Sequence, residues 1–188
     1  THYDAQLVWD PLASSSIWHG VTNVVTGNCG FTIAPVKTED QDYMMRLLAQ
    51  VESINQSALT TTLPWPWETF PEYLDYIDTH AGVNVVAMVG HSAVRRYVMG
   101  KEANQREATE TEIEKMRLVV RESLRAGAMG ITSSRGGTHY DGDGGPVPSR
   151  LSSSEENWTL ALEARGMNRG FLQGMGPPDF MKELTATV

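Results

Sequence analysis

The sequence predicts an α/β fold in which parallel strands alternate with helices, and three observations predict it. Short runs rich in β-branched and apolar residues recur along the chain. Between them lie longer segments of helical periodicity, several opening with a Ser/Thr-x-x-Glu/Gln capping pattern. Strand, helix, strand at this spacing defines βαβ units and a parallel sheet. The chemically capable residues, moreover, fall just after the strands: Cys29, then His91, then the stretch from Ser133 to Tyr140. In α/β folds the site lies at the carboxyl ends of the strands, so the pattern points to a barrel or open-sheet enzyme rather than a passive domain.

Taken in order, residues 2–8 read as the exit of a strand whose body is missing, and Asp10-Pro11 with Ser14, Ser15 and Ser16 as a turn region. Residues 21–26 are β-branched at Val21, Thr22, Val24, Val25 and Thr26, which is the composition of a buried strand. Gly27-Asn28-Cys29-Gly30 ends it with turn chemistry. Capping pairs then open successive helices: Thr38 with Gln41, Thr69 with Glu72, Thr109 with Glu112, and Ser153 with Glu156. Met44, Leu47, Leu48, Val51 and Ile54 share a face of the first, and Phe70, Tyr73, Leu74 and Ile77 of the second. Ile113, Met116, Val120 and Leu124 share a face of the third, while Trp158, Ala161 and Leu162 are available to pack from the last. Gly127 and Gly166 are the expected stop residues of the last two. Strands are expected over residues 83–90, 128–132 and 170–174. No internal repeat beyond these units and no interdomain linker is visible.

The bulk numbers exclude several classes. At 188 residues, 40% hydrophobic and 20% charged, the chain has an ordinary globular composition. A net charge of −8 with no basic stripe argues against nucleic acid as a partner. No apolar run is long enough to span a membrane and no signal-peptide pattern opens the chain. The single cysteine rules out an internal disulfide and fits a reducing, cytoplasmic setting. The chain starts in mid-motif without a methionine, which reads as part of a longer protein.

His2 and Cys29 lie about one strand–helix unit apart, which would bring them to the same rim of neighbouring parallel strands. A neutral imidazole and a thiolate both suit Zn²⁺, and a divalent cation stabilises the deprotonated thiol. Set against this, a lone cysteine after a strand is commonly a small buried apolar residue. Asp4 reads as a turn cap or as a carboxylate behind the ligands. His91 is either a substrate-orienting group or a strand-end histidine bonded to backbone, with Arg95 and Arg96 solvated or paired on the following helix. Ser133, Arg135 and His139 belong to a polar loop at the rim, where Arg135 can fork onto a substrate carboxylate. The alternative is a flexible loop running into Asp141-Gly142-Asp143-Gly144-Gly145. That stretch lacks the spacing and closing glutamate of a calcium loop. His19 and His80 read as structural. Trp65-Pro66-Trp67 is a rigid aromatic loop that either walls an acyl pocket or packs beneath a long connection.

Several motifs together carry a resemblance. They are Thr1-His2-Tyr3-Asp4-Ala5-Gln6, Trp9-Asp10-Pro11, His19-Gly20-Val21-Thr22, Gly27-Asn28-Cys29-Gly30-Phe31 and Ala34-Pro35. Further along come Trp67-Glu68-Thr69-Phe70-Pro71-Glu72-Tyr73-Leu74, Gly90-His91-Ser92-Ala93-Val94-Arg95 and Ala126-Gly127-Ala128-Met129-Gly130-Ile131-Thr132. Jointly these resemble the N-acyl-D-amino-acid deacylases of the amidohydrolase superfamily, up to about Gln173. The resemblance implies a zinc-dependent TIM barrel that hydrolyses the amide of N-acyl D-amino acids, with one or two divalent ions. On that likeness the chain is one partial catalytic barrel domain over residues 1–188, its first strand truncated and the second half of the barrel absent. His2 matches the second histidine of the family's His-x-His pair, and Cys29 its metal-binding cysteine. The first histidine, two later metal histidines and the catalytic aspartate have no counterpart in this chain. The isolated chain is therefore expected to bind metal poorly and to be inactive. Many relatives outside this branch carry a carboxylated lysine on the fourth strand, and the matching residues 128–132 have none. The Ser-Ser-Arg form at 133–135 departs from the simpler Ser-Thr-Gly of deacylases, which leaves substrate choice open. A cyclic-amide hydrolase of dihydroorotase or hydantoinase type is a second reading. A non-catalytic half-barrel that self-associates through unpaired edges is a third.

Overall fold

In the computed structural model, which describes residues 1–167 and 171–185, strands and helices alternate and every strand pair is parallel. After two single-turn helices, α1 (Gln6–Trp9) and α2 (Ser14–Ile17), strand β1 spans Asn23–Thr26. Helices α3 (Gln41–Glu52), α4 (Gln56–Thr62) and α5 (Phe70–His80) lead to β2 (Asn84–Ala87) and, one residue later, β3 (Val89–Gly90). Then come α6 (His91–Met99), α7 (Glu110–Ala126), β4 (Gly130–Ser134), α8 (Ser154–Gly166), β5 (Phe171–Met175) and α9 (Pro178–Thr185). β1 pairs with β2, and β3–β4–β5 form a second ladder. The break at Met88 is slight, because Met88 N–H still reaches Thr26 O at 3.2 Å and Met129 N–H reaches Ala87 O at 2.8 Å. Strands consecutive in sequence are thus neighbours in space, as in βαβ units joined by short connections.

The core lies between these strands and the helices. Leu47, Phe70, Tyr73, Met116 and Leu124 are buried from the helical side against Val24, Val89 and Ile131 from the strands. The capping boxes at Thr69/Glu72 and Thr109/Glu112 form as expected, each side chain bonding the other's backbone N–H. Gly127 stops α7, with its N–H on Leu124 O.

Several expectations need correction. Residues 2–8 are not a strand exit: Gln6–Trp9 is a helical turn, and only Thr1 lies along β1, its amino group and hydroxyl both 2.9 Å from Val25 O. Thr38 does not cap a helix. Residues Thr38–Asp40 form a tight 3₁₀ turn and α3 starts at Gln41. The third predicted strand slides two residues, to Gly130–Ser134, so Ser133 and Ser134 belong to the sheet and not to the loop. Gly130 fixes that register, since a Cβ there would stand 1.8 Å from Phe171 O. The fourth strand runs Phe171–Met175, while Gly170 lies outside the described residues. Trp158 and Leu162 of α8 are exposed, and Leu160, Ala161 and Ala164 do the packing. Helices α4 and α9 have no counterpart in the sequence reading, whereas α6 is the helix expected to carry Arg95 and Arg96. Among the described residues no helix is long and apolar enough to cross a membrane.

Candidate metal and substrate site

Cys29 sits three residues beyond β1, on a turn held from several directions. Gly27 takes a left-handed conformation (φ 81°) against Met88 O, where a Cβ would come within 2.1 Å. Cys29 is itself left-handed (φ 56°, ψ 14°), a conformation that disfavours residues with a Cβ by about 1–2 kcal/mol. Its surroundings over-determine it. The Cys29 N–H donates to Gln173 Oε1 at 3.0 Å, and Gln173 Nε2 donates to Asn28 Oδ1 at 2.9 Å. The Thr132 hydroxyl donates to Gly27 O and accepts from Gly30 N–H at 2.9 Å. Buried Asp4 accepts from Gly27 N–H at 3.0 Å, which makes it a turn cap. β4 and β5 thereby reach across to fix the turn that follows β1.

His2 stands close enough to Cys29 to feel its side chain, and its Nδ1 lies 2.9 Å from Glu52 Oε1 at the end of α3. These two partners, Cys29 first and Glu52 second, raise the imidazole pKa to about 9 against the opposing effect of partial burial. His139 belongs to the same mouth. Its ring stacks edge-on against Phe31 at 5.1 Å, its Nδ1 is 2.8 Å from Ser134 Oγ, and it feels the charges of Glu52 and His2. Burial holds its pKa below the usual histidine value.

His91 and Ser133 are also brought together, on the other face of β4. Successive side chains of a strand point to opposite faces, so Thr132 and Ser134 serve the Cys29 side while Ser133 faces the helices. There Ser133 Oγ lies 2.8 Å from His91 Nδ1, and His91 Nε2 lies 2.6 Å from Glu156 Oε1. Glu156 also pairs with Arg95, whose remaining N–H groups go to Ala103 O and Arg106 O. The His91, Arg95 and Glu156 side chains are all buried. Burial pushes the Glu156 carboxyl up, but His91 and Arg95 outweigh it and hold the group below the usual range. Arg95 and Arg96 are buried ion-pair members, Arg96 with Asp40, and not solvated residues. Arg135 stands at the strand end: its N–H donates to Met175 O at 2.7 Å, and its guanidinium lies over the Phe180 ring at 5.7 Å.

The remaining candidates resolve into structure. His80 bonds Tyr76 O at 2.7 Å and stacks on the Tyr76 ring. Trp67 is buried and donates to Ile33 O at 3.0 Å. Asp141 spends both carboxylate oxygens on Tyr43, Asn104, and the Asp143 and Gly145 amides, closing its own loop.

Gln173, Thr132, Glu52 and Glu156 escaped the sequence reading. Glu156 resembled a capping-box glutamate, and Ser153 does accept its N–H, but the Glu156 side chain turns inward instead. Nothing local marks the other three. Only the strand order brings Gln173 and Thr132 against Cys29.

The donor set suits zinc in kind but not in number. Imidazole and thiolate are zinc donors, and both must lose a proton to bind. A catalytic zinc takes three protein ligands, and among the described residues no group of three or more His, Cys, Asp and Glu side chains is arranged so that it could hold an ion.

A parallel α/β sheet with a histidine and a cysteine meeting at its strand ends defines a class, and comparison fixes it: residues 1–175 match the model of the Amidohydrolase family, to which this chain belongs. It is 37% identical over 134 residues to the D-aminoacylase of Alcaligenes xylosoxydans xylosoxydans, covering 71% of this chain and 25% of that protein. Among solved structures it resembles D-aminoacylase, described as having a binuclear metal center, with a TM-score of 0.71 and 28% identity over 98% of this chain and 35% of that one. The N-acyl-D-glutamate deacylase of Bordetella bronchiseptica, solved with zinc and a phosphonate inhibitor, gives a TM-score of 0.67 at 26% identity, over 92% of this chain and 32% of that one. The chain spans 22–25% of the length of the curated relatives it matches.

Proposed function

We propose that this chain is an early portion of the barrel of a metal-dependent hydrolase of linear amides, one that removes the acyl group from N-acyl D-amino acids. His2 and Cys29 are two of its zinc ligands. The carrying observation is that His2 comes close to Cys29, which neighbouring strands hold on a turn in a disfavoured conformation just beyond β1. Zinc, when bound, lowers the pKa of a water molecule and polarises the scissile carbonyl. The chain's own groups orient the substrate. His139 lines the mouth beside His2, and Arg135 offers a planar fork for the substrate carboxylate. Ser133 and His91 support the mouth from behind β4, through the Glu156 pair. The aspartate that shuttles the proton to the leaving amine belongs to a part of the protein outside this sequence. By itself the chain holds zinc weakly and is inactive.

A cyclic-amide hydrolase is disfavoured by β4, whose five residues Gly130–Ser134 contain no lysine to bridge two ions. A half-barrel that only self-associates predicts a zinc-free oligomer in sedimentation. The deciding experiment replaces the matching stretch of the Alcaligenes D-aminoacylase with this chain. The chimera is expected to release amino acid from N-acyl D-amino acids in a zinc-dependent way and to lose this with Cys29→Ala. A folded chimera that opens only cyclic amides, or that ignores Cys29→Ala, contradicts the reading.

A further inference from the structure

We propose that the small cavity between β4, α8 and α9 is a binding site for one internal water molecule, held by the Asn157 amide and the Ser133 hydroxyl. This water extends the buried chain that runs from Arg95 through Glu156 and His91 to Ser133. The inference needs neither His2 nor Cys29.

Asn157 lies in the first turn of α8 and is 4% exposed. No protein group hydrogen-bonds its side-chain Oδ1 or its Nδ2. Nearly all buried polar side-chain atoms have a partner, in the protein or in ordered water, because leaving one unmade costs more than a made bond gains. Asn157 lines a cavity together with Ser133 and His91, and with apolar walls that include Leu160, Ala161 and Leu184. The cavity leaves about 10 Å³ for the centre of a water-sized sphere, which admits one water molecule and nothing larger.

The polar lining has the valence that a buried water requires. Ser133 Oγ lies 2.8 Å from His91 Nδ1, and His91 Nε2 is taken up by Glu156 Oε1 at 2.6 Å. A hydroxyl has one donor and two acceptor positions, so Ser133 keeps capacity to spare whichever way the proton in its bond to His91 points. Asn157 Oδ1, Asn157 Nδ2 and Ser133 Oγ offer three partners, the usual number for an internal water. The water thus ties α8 to β4 by a polar link and closes the far end of the network.

The test counts long-lived waters in the full chain by ¹⁷O relaxation dispersion, to which hydrogen exchange from hydroxyl groups does not contribute. Asn157→Leu removes the amide and fills the space, while Ala161→Val narrows the cavity and keeps the amide. Each is expected to lower the dispersion amplitude by the step of one water. In the parent chain, a water-to-methyl Overhauser effect at Ala161 is expected, with the sign of slow exchange. Each variant carries the test alone, so if one fails to fold the other decides. An amplitude unchanged from the parent in a variant whose amide spectrum shows it folded overturns the proposal. A parent chain without the effect at the Ala161 methyl overturns it as well.

Discussion

At the scale of single residues, the conformation of Cys29 is the most informative feature. A left-handed residue with a Cβ persists only where its surroundings impose it, and here Gln173, Thr132 and Asp4 do so. Cys29→Gly should therefore be more stable than Cys29→Ala by about 1 kcal/mol, visible in parallel thermal melts. The reverse order would mean that the turn is not left-handed in solution. Gln173→Ala removes two hydrogen bonds from the turn and should cost about 1–3 kcal/mol, with faster alkylation of the Cys29 thiol. An unchanged alkylation rate would separate Gln173 from Cys29. Cys29 was legible from its place after a β-branched run. Gln173 was not, because its role arises only when the strand order brings β5 against the Cys29 turn.

At the scale of elements, α6, α8 and β4 are joined by the buried group of His91, Glu156, Arg95 and Ser133. Removing one partner of a buried ion pair costs about 3–5 kcal/mol, because the other charge is left unpaired. Glu156→Ala should fall in that range in denaturant unfolding, far beyond the ~1 kcal/mol expected of a lost cap such as Thr109→Ala. A loss as small as the cap's would show that the network contributes nothing. The sign of the pH dependence follows from Glu156, whose carboxyl titrates below the ordinary glutamate value of 4.5 when folded. Its stabilisation is complete above that value and is lost as pH falls through the folded pKa. Stability profiles between about pH 6 and pH 3 should therefore be flatter in Glu156→Gln than in the parent chain. The two full capping boxes were legible because they are local. Glu156 carries the same local pattern and turns inward because the Arg95 guanidinium and the His91 ring meet it there.

At the scale of the whole molecule, the order of strands was legible from the alternation of β-branched runs and capped helices. Their ends were not, since register is set by contacts such as Gly130 against Phe171 O. Gly130→Ala should break the β4–β5 ladder and lower the melting temperature by several degrees, while an unaltered melt would deny that register. The same ladder brings Gln173 to the Cys29 turn, so the fold and the proposed metal pair stand together. The most direct measurement is X-ray absorption at the zinc edge of the zinc-loaded chain. One sulfur at about 2.3 Å with nitrogen or oxygen neighbours at about 2.0–2.1 Å, the sulfur vanishing in Cys29→Ala, is the expected result. A shell of oxygen and nitrogen alone, unchanged by that substitution, would contradict it.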